Sequence, residues 1–237
     1  MSIFNFKYFK VKQADSAMKV GTDALLLASM AEPDVLPGNA LDVGTGTGVV
    51  ALIIAQRFKD ARVDAIDIDA PSVKECEENF IASAWSDRLS VFQIDFRDFQ
   101  PERTYDLIIS NPPYYGTTNR NEDKRKARAR HVDSLPLVEF SQKCSDLLSE
   151  TGEIWLIFPF EDQFKWKNAF EKNGLFPRKE IAVSGKEGES FKRLICAFTR
   201  TEIARVEEIT FAIRDLEGKF SSQYKLLTAE LHDRILP

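Results

Sequence analysis

The sequence predicts an α/β fold, a mainly parallel sheet of seven strands with helices on both faces and an antiparallel hairpin at its edge. Three observations carry this. Between Asn39 and Gly174, short apolar segments alternate with helical patterns, the signature of strand–helix–strand crossovers. The first of these crossovers runs through Leu41-Asp42-Val43-Gly44-Thr45-Gly46-Thr47-Gly48-Val49-Val50, an acid and alternating glycines between an apolar run and an amphipathic one. Beyond Gly174, two strand patterns lie directly next to each other around Gly185 and Gly188, which reads as a hairpin.

In chain order, Ile3 to Lys12 sets Phe4, Phe6, Tyr8 and Phe9 among Lys7, Lys10 and Lys12. It reads first as a short strand pair packed on the body and second as an RNA-facing arm. Thr22 or Asp23 makes an N-cap for a helix through Met30, closed by Pro33. After the glycines, Val49 to Phe58 is apolar nearly all round, as for a helix wedged between a sheet and another layer. Arg62 to Asp67 alternates as a strand, and Pro71 sits in the first turn of the next helix, through Ala84. Leu89 to Asp95 and Tyr105 to Ser110 are further strands. Ser134 caps a helix through Ser149 that Gly152 ends, Glu153 to Phe158 is a strand, and Glu161 to Asn173 a helix closed by Gly174. Arg178 to Ser184 and Lys192 to Arg200 form the hairpin. The tail adds an alternating segment (Ile209, Phe211, Ile213), a turn at Gly218 and a short helix from Tyr224 to Leu231.

The 237 residues suit one domain, divided into an N-terminal extension (1–38), a core sheet (39–200) and a C-terminal extension (201–237). A body of this size buries roughly 70–75% of its unfolded surface. The net charge of −5 argues against a protein that coats nucleic acid with its whole surface, yet leaves room for a local basic patch. Cys76, Cys144 and Cys196 are far apart and odd in number, so neither a disulfide framework nor a zinc site is suggested, and no metal is expected. There is no apolar signal core and no run long enough to span a bilayer, so the expectation is a cytoplasmic protein without a membrane partner.

In an open α/β sheet, ligands bind outside the carboxyl ends of the strands. Four successive strands place Asp42, Asp67, Asp95 and Asn111 near those ends, converging on one crevice. The glycine turn allows a ligand close to the main chain, because glycine has no Cβ. It departs from the pyrophosphate pattern G-x-G-x-x-G: the third glycine comes one residue early, at Gly48, and Val49 holds the place the pattern needs. Asp67 is suited to accept bonds from ribose hydroxyls, with Asp69 as the alternative or as the cap of the next helix. Asp95 is suited to a cofactor's adenine amino group.

Asn111-Pro112-Pro113-Tyr114 has a chemistry that can be argued directly. A planar NH₂ is a poor nucleophile because its lone pair is delocalised. A catalyst must hold both N–H bonds with acceptors and leave the lone pair facing the methyl donor. Asn111 offers its side-chain oxygen and Pro112 its main-chain oxygen. The two prolines stiffen the turn, and Tyr114 offers a face on which a base or amide can stack. Following this segment, Arg120, Lys124, Arg125, Lys126, Arg128 and Arg130 stand against Glu122 and Asp123 in a loop suited to RNA phosphates. His131 reads as a substrate contact or helix-entry residue rather than a general base, since nitrogen methylation can shed its proton after transfer.

These segments resemble known ones. Asp42 to Gly48 resembles motif I of S-adenosylmethionine-dependent methyltransferases, in which an acid beside the loop suits a cofactor bearing an amino group and a sulfonium. Asn111 to Tyr114 resembles motif IV of enzymes that methylate exocyclic or amide nitrogens. Together with Lys19-Val20-Gly21-Thr22-Asp23-Ala24-Leu25-Leu26-Leu27-Ala28 and Ala127-Arg128-Ala129-Arg130-His131, they resemble the bacterial tRNA(Val) adenine-N6 methyltransferases over most of the chain. The resemblance implies a class I, Rossmann-like methyltransferase sheet, S-adenosyl-L-methionine as cofactor, and a tRNA adenine beside the anticodon as substrate. It also implies cofactor contacts from Asp42, Gly44, Gly46 and Gly48, and a place near the methionine end for Lys19 and Thr22. Competing readings are a glutamine-N5 protein or guanine-N2 RNA methyltransferase, and a non-catalytic RNA- or cofactor-binding protein. The tail, ending in Ala229-Glu230-Leu231-His232, lacks the aromatic-rich close usual in that family.

Overall fold

The computed structural model describes residues 2–16, 19–112 and 136–232. The first elements are the strands β1 (Ile3–Asn5) and β2 (Lys10–Lys12), helix α1 (Thr22–Met30), β3 (Asn39–Val43), α2 (Val49–Arg57), β4 (Arg62–Asp67), α3 (Ala70–Ile81), β5 (Leu89–Gln93) and β6 (Tyr105–Ser110). After residue 136 come α4 (Leu137–Leu147), β7 (Leu148–Pro159), α5 (Gln163–Glu171), β8 (Phe176–Lys186), β9 (Phe191–Thr199), β10 (Glu207–Arg214) and α6 (Ser222–Leu227).

Eight strands form one sheet in the order β10-β8-β9-β7-β6-β3-β4-β5. Among the described strands, only β9 runs against the rest of this sheet, pairing antiparallel with both β7 and β8. The expected hairpin is present, but it is not the edge. The alternating tail segment becomes β10 and pairs parallel with β8, from Glu207 against Lys179 to Arg214 against Lys186, making an eighth strand outside the hairpin. Two apolar clusters line the sheet's faces. One gathers α1, α2 and α3 with Trp155, Ile157 and Phe211; the other gathers α4 and α5 with Phe158, Trp166 and Phe198.

Arginines close the C-terminal ends of three helices, where the last carbonyls lack partners inside the helix. Arg57 donates to the carbonyls of Ala28 and Ala31 after α1, Arg88 to those of Ala55 and Ala61 after α2, and Arg200 to those of Ser145 and Leu148 after α4.

Residues 3–12 form the strand pair, an antiparallel two-stranded sheet. Phe6 and Phe9 stack with centroids 4.4 Å apart and sink into the core beside Trp85. The N-cap of α1 is Gly21, not Thr22 or Asp23, and no side chain caps it. Gly152 does not end α4, which stops at Leu147; it lies in β7, where the register with β6 slips between Tyr105 and Leu107. A Cβ there would come within 2.8 Å of the Tyr105 carbonyl oxygen, so glycine is required by a close approach of two strands rather than by a helix end. The expected cap Ser134 lies outside the described residues. The last helix is shorter than expected and is capped by Ser221, whose hydroxyl accepts from the Tyr224 N–H.

Candidate active site

The strand order reverses between β3 and β6: β4 and β5 continue to one side, β7 to the other. This switch point opens a crevice at the carboxyl ends. A cavity of about 310 Å³ occupies it, lined by Lys19, Gly21, Thr22, Asp23 and Ala24 from the start of α1, by Asp42 to Thr47 except Val43, by Val49 and Val50, and by Asn111 from the end of β6. Six of the residues expected at the site, Lys19, Thr22, Asp42, Gly44, Gly46 and Asn111, thus share one cavity.

The glycine turn is braced from below. The N–H groups of Gly44 and Thr45 both donate to the Ile66 carbonyl at the end of β4, at 2.9 and 3.0 Å. Gly46 N–H donates to Asp67 Oδ2 at 2.8 Å, and Thr45 Oγ1 to Asp42 Oδ2 at 2.6 Å. Gly44 and Gly46 have φ of +73° and +54°, and a Cβ at either would meet nothing within 4 Å. Beside the cavity, that open space is a cradle that side chains would fill, and it lets a ligand lie against the main chain. Gly48 works differently. At φ +83° it heads α2, and a Cβ would fall 2.7 Å from both Cys76 Sγ and Phe80 Cε1 on α3. The early third glycine therefore seats the turn on the neighbouring helix instead of lining the cavity.

Asp42 is almost fully buried, and its Oδ2 also accepts from the Ala51 N–H at 3.2 Å. Burial pushes its carboxyl up to about 7, with hydrogen bonds from Thr45 and Ala51 pulling the other way. Asp67 is likewise raised by burial, against hydrogen bonds from the Asp69 and Gly46 main chain. Its oxygens hold Gly46 N–H and Asp69 N–H, so it joins the glycine turn to the entry of α3 from just outside the cavity lining. Asp69 is the N-cap of α3, accepting from Ser72 N–H at 3.1 Å.

Asp95 departs from expectation. Strand β5 stops at Gln93, because the chain turns there and the Asp95 carboxylate takes three bonds from Arg97: the main-chain N–H at 2.8 Å, Nε at 3.0 Å and Nη2. Arg97 holds it below the usual carboxylate range, and Asp95 does not line the cavity.

Asn111 follows Ser110, whose hydroxyl donates to the Val43 carbonyl at 2.7 Å and fastens the end of β6 to the end of β3. Pro112 is buried. Pro113, Tyr114, Arg120, Lys124, Arg125, Lys126, Arg128, Arg130 and His131 lie outside the described residues. Sequence reasoning passed over Glu75 and Asn79, both buried on α3. The signal was there: with Ser72, Cys76 and Phe80 they fall on one helical face, the face that packs inward.

The three cysteines are buried thiols, and their pKa values are pushed up by burial. Among the described residues, no cluster of His, Cys, Asp and Glu could hold a metal, and no helix is long and apolar enough to cross a membrane.

The family model of the methyltransferase small domain matches residues 12–172. A tRNA1(Val) (adenine(37)-N6)-methyltransferase of Flavobacterium johnsoniae is 38% identical over 97% of this chain and 99% of its own length. One of Christiangramia forsetii is 37% identical over 97% of each. Among solved structures, a predicted O-methyltransferase from Agrobacterium tumefaciens superposes with a TM-score of 0.67 at 18% identity, covering 88% of this chain and 96% of that one, which supports the fold alone. With its switch-point cavity, cradled glycine turn and full-length likeness to these relatives, the chain belongs to the tRNA1(Val) (adenine(37)-N6)-methyltransferase family, built on the methyltransferase small domain.

Proposed function

We propose that the chain transfers a methyl group from S-adenosylmethionine to the N6 amino group of an adenine in tRNA, adenine 37 of tRNA1(Val). The observation that carries this is the sharing of one cavity by the glycine turn and Asn111. Bound there, the cofactor supplies an electrophilic methyl group on a sulfonium. The residues fit it: Gly44 and Gly46 leave room against the main chain, and Asp42, Lys19 and Thr22 line the same cavity, the acid suited to a cationic ligand. Asp67 is the acceptor for the ribose hydroxyls. Asp95 is assigned to the adenine amino group.

The chain's own part in the chemistry is orientation. The Asn111 side-chain oxygen and the Pro112 carbonyl accept the two N–H bonds of the target amine, with Pro113 stiffening the turn and Tyr114 stacking on the base. The nitrogen lone pair is then free to form the new N–C bond as the sulfur–methyl bond breaks, its electrons staying on the sulfur of S-adenosylhomocysteine, and the surplus proton leaves to water. Arg120, Lys124, Arg125, Lys126, Arg128, Arg130 and His131 supply the phosphate contacts, in the cytoplasm where its tRNA substrate resides. Neutralising Arg125, Arg128 and Arg130 together should lower the salt slope of tRNA binding by about 2, at roughly 0.7 per phosphate contact with single strands.

Incubating the protein with labelled S-adenosylmethionine and total tRNA or protein extract tests the reading. Label should enter tRNA, and nucleoside mass analysis should find N6-methyladenine. Label in protein would point to the glutamine-N5 reading, and label in neither to a non-catalytic binding protein.

A further inference from the structure

The cavity has two walls that are far apart in sequence; one face of α3 holds the glycine turn directly and holds the N-terminal segment that leads to the other wall. The first grip is Asn79, which is 2% exposed. Its amide nitrogen donates to the Thr47 carbonyl in the glycine turn at 2.9 Å and to the Lys12 carbonyl at 3.0 Å, while its oxygen accepts from the Lys12 N–H at 2.8 Å. One side chain thereby fixes the glycine turn relative to β2.

The second grip lies one helical turn earlier. Glu75, 5% exposed, accepts from three consecutive main-chain N–H groups, Ala14 at 2.6 Å, Asp15 at 3.2 Å and Ser16 at 2.9 Å, and from the Ser16 hydroxyl. Residues 14–16 belong to no helix or strand, so these bonds stand in for a ladder. Gln13 then carries the hold across to the cavity wall: its side-chain oxygen accepts from the Val20 N–H at 2.9 Å, between Lys19 and Gly21, which both line the cavity.

We infer that Glu75 and Asn79 are positioning residues for the cofactor: from one helix face they set the distance between the glycine turn and the Lys19–Thr22 wall. An apolar contact at these places would also bury area, but it could slide. Hydrogen bonds to named main-chain atoms are directional and hold the two walls in one register. This inference rests on the cofactor reading of the cavity and adds to it residues that touch no cofactor themselves.

The test needs no RNA. S-adenosylhomocysteine is titrated by calorimetry into the full chain and into Asn79→Ala, Glu75→Gln and Ser16→Ala, well below each variant's Tm. Losing a set of directed bonds should weaken binding about tenfold or more in Asn79→Ala and Glu75→Gln, and about threefold in Ser16→Ala. In turnover assays the KM for S-adenosylmethionine should rise in the same order, while kcat at saturating cofactor and the KM for tRNA stay within about twofold. A merely structural role would lower Tm and leave the dissociation constants unchanged, and that result overturns the inference. Ser16→Ala removes one hydroxyl and keeps every main-chain bond, so it carries the test if the other variants do not fold. If the unaltered protein itself does not bind S-adenosylhomocysteine, the cofactor reading fails, and this inference with it.

Discussion

The two sides of the switch-point crevice are held in opposite ways. The glycine turn on the β3 side is tied to β4 through the Ile66 carbonyl, to Asp67, to Asp42 and to α3. Among the described residues, Asn111 on the β6 side follows one side-chain tie, Ser110 to Val43, and lines the cavity. The difference teaches where fold and chemistry can be separated. On the cofactor side Asp42 and Asp67 brace the turn, and in the proposed function they also meet the ligand, so their loss should move stability and affinity together. Asn111 should lose rate alone.

The largest effect is therefore expected at Asn111. Asn111→Ala removes an acceptor without adding bulk, and the loss of such a preorganised group costs roughly 10²–10³ in rate. Single-turnover methyl transfer should collapse while S-adenosylhomocysteine affinity and Tm stay near normal. Asn111→Asp keeps an acceptor of the same size and should retain more activity than alanine. Near-normal turnover in the alanine variant would reduce the segment to an ordinary turn.

Next comes Asp67. Charged hydrogen bonds are worth on the order of 2–3 kcal/mol, so Asp67→Ala should weaken cofactor binding by roughly 30- to 150-fold. It should also lower Tm, since Gly46 and Asp69 lose their acceptor. Calorimetry beside thermal melts would separate the two. Weakened binding with an unchanged Tm would mean that the turn does not need Asp67 and that the contrast between the two sides is overdrawn.

Asp42 makes the same point through pH. Its folded-state pKa of about 7 lies above the ordinary carboxylate value of 3.8. The unfolded chain therefore loses this proton first, and each rise in pH between about 4 and 7 favours unfolding. The stability in question is complete below the unfolded pKa and gone above the folded one, with a slope of at most about 1.4 kcal/mol per pH unit. Asp42→Asn can keep the Thr45 and Ala51 bonds on its oxygen, so it should flatten that part of the ligand-free stability curve. A cationic cofactor favours the charged acid, so binding to the unaltered protein should tighten as pH rises through the window. A denaturation series from pH 4 to 8 that shows the same slope in both proteins would remove Asp42 from this role.

Much of this was legible in the sequence because regular crossovers leave a regular trace. Polar residues at strand ends and glycines in the first turn pointed to Asp42, Gly44, Gly46 and Asn111, the family resemblance added Lys19 and Thr22, and all six line one cavity. What escaped was set by tertiary partners. Gly152 carries no local sign that Tyr105 will approach it, and β10 alternates like any strand without showing that it pairs outside the hairpin. Glu75 and Asn79 share the inward face of their helix with Cys76 and Phe80, but their partners, the main chain of residues 12–16 and of Thr47, are far away in sequence and leave no local trace. The Asp95–Arg97 pair was hidden for a related reason: the apolar pattern runs to Ile94, and nothing in it reveals that Arg97 will bond the acid.

Asp95 gives the smallest expected effect and the finest test of the comparison. On the cofactor side it is the acid that braces no part of the glycine turn; its partner is Arg97, half exposed, and an ion pair of that kind contributes about 0–1 kcal/mol. Asp95→Ala should lower cofactor affinity by less than about tenfold and leave Tm within a few degrees, well short of Asp67→Ala. Arg97→Ala decides what the pair is for. If Arg97 competes with the adenine amino group for the same oxygens, its removal should tighten binding slightly, and the double variant should match Asp95→Ala. If Arg97 instead holds the acid in place for the ligand, its removal should weaken binding as much as Asp95→Ala does. Should all three variants bind S-adenosylhomocysteine like the unaltered protein, Asp95 is a turn residue paired to its neighbour, and the adenine amino group is held elsewhere.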